Sequence, residues 1–364
     1  MTMTARCCAT LLWLCLSLPA VAATPPPPAG ERHGIAHTPS AAVRDADHRD
    51  SVRYTVWYPA QPDARETALT IGPPGAPLFE VGTAATDAAI APGRWPVLLL
   101  SHGNGGSARM MGWFGTAMAR AGYVVIAVDH PGNNGVDRMT EAGSILMWNR
   151  VDDLAAALHA VQADDALSAH LDAARLGVAG YSAGGFTALV AAGARPDLQR
   201  LLAFCRAHPD DGVCVAQAED PSLTLARRMT AAATPQLAPW VEQAGADRAI
   251  PGVRAVFLMA PAMVQAFAPA ALGTLQPPVS IIVGSADAVA APATNSEVAA
   301  RALPNAQLTT LPAVGHYDFL SRCTALGTAR VGALCEVAAD KQATHDRAIR
   351  AATALFDAAL PPTR

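Results

Sequence analysis

The chain has 364 residues, 51% of them apolar, and a formal net charge of −4. That length can bury a large core within a single α/β domain. The weak negative charge, with no basic cluster, argues against a nucleic-acid partner, and abundant alanine accounts for the apolar content without implying a membrane protein.

Residues 1–22 carry the marks of a cleavable signal peptide. Arg6 supplies the positive start, residues 11–18 form an apolar run too short to span a bilayer, and Ala20-Val21-Ala22 fits the A-x-A signature. Cleavage after Ala22 and export to the periplasm or medium are expected, with no integral membrane segment in the mature chain. The run Pro25-Pro26-Pro27-Pro28 opens a lead-in over 23–50. It is expected to be stiff where proline-rich and otherwise loose. The folded domain is then placed at 51–364, and residues 53–60 and 68–79 read as early strands at an antiparallel edge.

The apolar strand Trp95-Pro96-Val97-Leu98-Leu99-Leu100 runs into Ser101-His102-Gly103-Asn104-Gly105-Gly106. A glycine-rich turn after a buried strand can aim a backbone N–H at a developing oxyanion, and Asn104 is the expected donor. A phosphate loop is the rival, but neither G-x-x-x-x-G-K-[ST] nor G-x-G-x-x-G is present. Ser101 and His102 are expected to brace the turn. Residues 107–121 read as a helix with Ser107 as N-cap. Residues 123–128 read as a central strand ending at Asp129 and His130. Neighbours in extended chain face opposite sides, so these two are assigned structural roles rather than a dyad. Residues 148–164 read as a helix with Asp152 and Asp153 on its solvent side.

The densest signal is Gly180-Tyr181-Ser182-Ala183-Gly184, a G-x-S-x-G pattern between an apolar strand over 176–179 and a small-residue helix over 185–194. A sharp strand-to-helix turn there lifts a serine hydroxyl out of the sheet. Ser182 is the candidate nucleophile, and the Ala183 N–H is the second oxyanion donor. A serine hydroxyl needs a base, and in such folds the acid and then the histidine follow it in the chain. Val279-Ser280-Ile281-Ile282-Val283 ends in a loop carrying Asp287, and Leu308-Thr309-Thr310-Leu311 leads to His316. All three candidates lie just past strand ends, where open α/β sheets place their sites. Asp318 is the rival acid, but it lies only two residues from His316.

Between 195 and 252 the pattern breaks into a proline-punctuated insertion. It is expected to form a small, partly helical cap over the site. Beyond the leader, the cysteines are Cys205, Cys214, Cys323 and Cys335. Of the three possible connectivities, the local one, Cys205 with Cys214 and Cys323 with Cys335, closes the shortest loops. These spacings do not fit a zinc site, so neither metal nor cofactor is expected. Residues 340–360 read as a closing helix on the outer face of the sheet.

Taken together, Val52-Arg53-Tyr54-Thr55-Val56-Trp57-Tyr58-Pro59, Ser101-His102-Gly103, the elbow at Ser182, Val283-Gly284-Ser285-Ala286-Asp287 and Gly315-His316-Tyr317-Asp318-Phe319 make the chain resemble an α/β-hydrolase. The resemblance is to the platelet-activating-factor acetylhydrolase type, especially bacterial proteins labelled predicted dienelactone hydrolases. It implies a mostly parallel sheet with helices on both faces and a small cap, and hydrolysis of a small-molecule carboxylic ester. It also implies a triad of Ser182, Asp287 and His316 and oxyanion donors at Asn104 and Ala183. True dienelactone hydrolases use a cysteine nucleophile, whereas this elbow carries serine. A polyester, cutin or lipid-ester hydrolase and a catalytically silent binding protein are the alternatives on the same fold.

Overall fold

The structure, a computed structural model, describes residues 26–335 and 337–362. The predicted signal peptide, with Cys7, Cys8 and Cys15, lies outside the described residues. Eleven strands form one sheet: β1 (Ala29–His37), β2 (Ser51–Pro59), β3 (Thr67–Ile71), β4 (Phe79–Thr86), β5 (Trp95–Ser101), β6 (Val124–Val128), β7 (Leu171–Tyr181), β8 (Val253–Met259), β9 (Val279–Gly284), β10 (Ala306–Leu311) and β11 (Arg322–Cys323). Their order is β10-β9-β8-β7-β5-β6-β2-β1-β4-β11, with β3 paired to β4. From β10 to β6 every pairing is parallel. β2 then runs antiparallel to β6 and β1 antiparallel to β2.

Strands buried on both faces read as near-continuous apolar runs; β6 is apolar throughout, and β5 and β9 are so apart from Ser101 and Ser280. The period of two divides those residues between two cores. Leu99, Ile126, Val178 and Leu258 pack on one face under the helices Arg150–Gln162 and Ala183–Ala191. Leu98, Val125, Ala179 and Phe257 pack on the other against Phe114 and Phe356, from the helices Gly112–Arg120 and Lys341–Ala359. Helices therefore cover both faces of a mostly parallel sheet. This is the α/β-hydrolase arrangement, and it carries the C-terminal ends of β5, β7, β9 and β10 to one edge.

The sheet begins earlier than expected. β1 lies inside the stretch read as a loose lead-in, paired over its whole length with β2 from Ala29↔Pro59 to His37↔Ser51. The short helix Pro39–Arg44 follows it, with Arg44 fully buried. The segment is held by distant partners: the buried Glu31 accepts a hydrogen bond from Trp57 Nε1 at 2.8 Å and faces Arg109. Only the residues before β1 are left as lead-in.

Candidate active site

β7 ends in a turn that only particular residues tolerate. Ser182 sits at φ 54° and ψ −120°, a strained conformation for a residue with a side chain. Its N–H donates to Met259 O at 2.9 Å, and its carbonyl accepts from Gly185 and Ala262. The flanking glycines are required by close approach. A Cβ at Gly180 would stand 1.9 Å from Gly184 O, and one at Gly184 would stand 2.0 Å from Ser101 O. The strain is thus locked in by the adjoining strands, and the hydroxyl is presented at the end of the sheet.

His316 Nε2 lies 2.9 Å from Ser182 Oγ, and His316 Nδ1 lies 2.7 Å from Asp287 Oδ2. The carboxylate can only accept, so Nδ1 carries a proton toward Asp287 and Nε2 accepts from the serine hydroxyl. The other carboxylate oxygen of Asp287 accepts from the N–H groups of Val289 at 3.0 Å and Ala290 at 2.7 Å, which fixes its plane. Tyr181 donates its hydroxyl to His316 O at 3.1 Å. Burial pushes that phenol well above its usual range, so it stays a donor. All three members of the Ser182–His316–Asp287 chain are buried. Asp318 is elsewhere: its Oδ2 accepts from Gly315 N–H at 2.7 Å, bracing the backbone just before His316.

The 101–106 turn stands opposite Ser182. Among the described residues, no acceptor is hydrogen-bonded to the backbone N–H of Asn104 or of Ala183. Behind the turn lies a buried polar chain. His130 Nε2 accepts from Ser101 Oγ at 2.9 Å, and its Nδ1–H donates to Asp153 Oδ2 at 2.8 Å. His130 N–H donates to His102 Nε2 at 3.2 Å, so the His102 proton sits on Nδ1 and is given to Gly103 O at 2.6 Å. Burial, aided by the nearby Arg150 charge, pushes both imidazoles well below their usual range and keeps them neutral. Asp129 faces the other way and accepts from Ala108 N–H at 2.8 Å.

Asp153 corrects one expectation. It is fully buried rather than on the solvent side, gripped by both terminal guanidinium nitrogens of Arg44. The surface reading holds only for Asp152, which is partly exposed and paired with Arg248 at 2.9 Å. A buried carboxylate without such a partner would be strongly destabilising, so the helix Arg150–Gln162 can present Asp153 inward only because Arg44 meets it.

Residues 195–252 form the helices Leu198–Ala207, Leu225–Ala232 and Ala238–Val241. Cys205 is bonded to Cys214, and Cys323 to Cys335. One residue of this stretch, missed in the sequence, shares a cavity with the nucleophile candidate. Glu219 lines a cavity of about 40 Å³ together with Gly103, Asn104, Met110, Tyr181 and Ser182. Burial pushes its carboxyl above the usual range, although His316, Asn104 and Tyr317 work against that. A larger apolar cavity of about 270 Å³ lies under the same stretch, between Trp148, Phe186, Leu201 and Met229, but none of Ser182, Asp287 and His316 lines it. Among the described residues no group of three or more His, Cys, Asp or Glu side chains is placed to hold a metal ion. No described helix is long and apolar enough to cross a membrane.

The fold and the elbow define a hydrolase of the α/β class. Residues 95–319 match the serine aminopeptidase S33 family. The match covers more than half of the sequence, and the chain belongs to that family. No curated protein matches it. Among solved structures it is similar to the ferulic acid esterase from Streptomyces cinnamoneus. The two share 19% identity over 94% of this chain and 92% of that one, with a TM-score of 0.60. At that identity the likeness speaks to the fold.

Proposed function

We propose that the chain is an exported serine hydrolase of small carboxylic esters, of the platelet-activating-factor acetylhydrolase-like branch. The observation that carries this reading is the continuous hydrogen-bonded line from Asp287 through His316 to Ser182. In this reading Ser182 Oγ attacks the ester carbonyl while His316 Nε2 takes its proton. The oxyanion is held by the N–H groups of Asn104 and Ala183, each worth on the order of 3 kcal/mol in the transition state. His316 then protonates the departing alcohol, with Asp287 stabilising the imidazolium. A water, deprotonated by the same imidazole, releases the acid from the acyl-enzyme. The steps need no cofactor. The residues 195–252 act as the cap, supported by the placement of Glu219 beside Ser182. The small cavity there, about 40 Å³, favours short acyl groups. Two disulfides accord with export.

A panel of p-nitrophenyl esters from acetate to palmitate tests the reading, run with a polyester film and an aminoacyl anilide. Turnover is expected to peak at short esters and to fall by about 10⁶ in a folded Ser182→Ala variant. Preference for the film would replace the reading with a polyester hydrolase, and preference for the anilide with a peptidase. The absence of Ser182-dependent turnover on every substrate would leave a binding protein.

A further inference from the structure

The Glu219 carboxyl is an anomaly in a pocket built for ester chemistry. It comes from the aperiodic loop between the Cys205–Cys214 bridge and the helix Leu225–Ala232. A Cβ built at Gly105 would stand 2.8 Å from Glu219 Cβ, so the residue is pressed onto the turn that faces Ser182. The Asn104 and Tyr317 side chains stand close to this carboxyl, but neither reaches Oε2 in hydrogen-bonding geometry, and that buried oxygen is left without a partner. Among the described residues it is the only side chain lining this cavity with a buried polar atom in that condition. Leaving a buried acceptor unsatisfied is costly, and such an atom beside a nucleophile is explained if a substrate supplies the missing donor.

The size and lining of the cavity limit what that donor is. At about 40 Å³ it has room for roughly three water-sized groups. Of its other side chains, Met110, Met111, Leu320 and Leu334 offer no strong acceptor, and His102, Asn104, Tyr181 and Ser182 already have hydrogen-bond partners of their own. An ammonium brings three N–H donors and would leave most of them unmet. A hydroxyl brings one. We propose that Glu219 is a specificity-determining residue whose Oε2 accepts a hydrogen bond from a hydroxyl on a short chain of the ester substrate, in its acyl or its alcohol half. This rests on the esterase reading of Ser182. The same carboxylate repels substrates that carry an anionic group at this position.

The test compares isosteric ester pairs on the mature protein. Methyl 3-hydroxybutanoate is set against methyl 3-methylbutanoate, and 2-hydroxyethyl butanoate against propyl butanoate, with methyl 3-aminobutanoate as the ammonium arm. In at least one pair the hydroxylated ester is expected to have a kcat/KM at least about tenfold higher, carried mainly by KM. Glu219→Leu is expected to bring that ratio close to one, and Glu219→Gln, which keeps an acceptor oxygen, to retain most of it. Glu219→Ala, with thermal unfolding as the check on folding, stands in if the leucine variant does not fold. Equal rates within both pairs, a ratio that survives in Glu219→Leu, or preference for the ammonium ester would each overturn the inference while plain esters are still cleaved. Loss of Ser182-dependent cleavage of the plain esters would overturn the esterase reading, and the inference with it.

Discussion

Arg44 closes a two-armed ion pair on Asp153, at 2.6 and 2.8 Å, across 109 residues of sequence. Neither side chain is exposed. The pair ties the N-terminal segment to the helix beneath the candidate site, and the same Asp153 holds His130, which holds Ser101 at the root of the 101–106 turn. A stretch remote from Ser182 in sequence thereby sets the footing of the proposed oxyanion loop.

Breaking that pair from either side leaves a buried charge without its partner. Arg44→Leu and Asp153→Leu are each expected to destabilise the chain by about 3–5 kcal/mol. The double variant is expected to lose clearly less than the sum, because neither member of the pair is then left buried without the other. Urea unfolding of the four proteins measures this. Additive losses would mean the pair is not coupled.

Much of this arrangement was legible in sequence because the central parallel strands carry short apolar runs, such as residues 97–100, 124–128 and 281–283, with turn residues beyond them. The elbow declares itself through glycine spacing, and Asp287 and His316 through their positions past β9 and β10. Asp153 was not legible. It shares the buried face of its helix with Val151, Leu154 and Val161, and an aspartate there is tolerable only with partners at positions 44 and 130 that no local pattern reveals. β1 was missed because Ala29–His37 holds one β-branched residue, Ile35. Its strand state comes from pairing with β2 rather than from propensity. Glu219 is a lone carboxylate in an aperiodic loop, where sequence carries no signal of its approach to Ser182.

Asp287 and Asp318 are expected to separate cleanly on mutation. Asp287→Asn removes the acceptor for His316 Nδ1–H and is expected to lower kcat by about 10⁴. Asp318 instead accepts backbone N–H groups from Gly315 and Ala338. Asp318→Asn is therefore expected to lower the unfolding midpoint more than kcat. Steady-state kinetics at matched folded fraction decide the point, and the reverse ranking in kcat would move the acid role to Asp318.

The mature chain is expected to present no free thiol. Cys205–Cys214 and Cys323–Cys335 account for all four cysteines beyond the expected leader. Each bridge closes a short loop and stabilises by about 2–3 kcal/mol in the chain-entropy account. Titrating denatured, unreduced protein with a thiol reagent is expected to find none, and reduction to release four. Two reactive thiols before reduction would remove one bridge from the structure.

Acid is expected to destabilise the fold from near neutral pH, because its buried imidazoles are held neutral. His345 stacks flat on Trp113, with ring centroids 3.7 Å apart, and its Nε2–H donates to Leu320 O at 3.0 Å. Burial pushes its pKa from 6.5 to about 4. His102 and His130 are pushed down by the same cause. Below pH 6.5 the unfolded chain binds protons that the folded chain refuses. The stability these groups lend is complete above 6.5 and drains away as pH falls toward their folded values. His345 alone accounts for about 2 kcal/mol between pH 8 and pH 5. Glu31, whose carboxyl is held below its usual 4.5 by His33, Arg109 and Trp57 against the opposing effect of burial, acts only at lower pH. The imidazoles draw stability away from 6.5 to 5, while the Glu219, Asp129 and Asp153 carboxyls, pushed up by burial, act in the opposite sense as pH falls. Urea midpoints at pH 8, 6.5 and 5 are expected to fall steadily. His345→Phe keeps an aromatic ring against Trp113 and removes the titration, so its midpoint is expected to fall less steeply. A wild-type midpoint level across this range, or a variant with the wild-type slope, would refute the assignment.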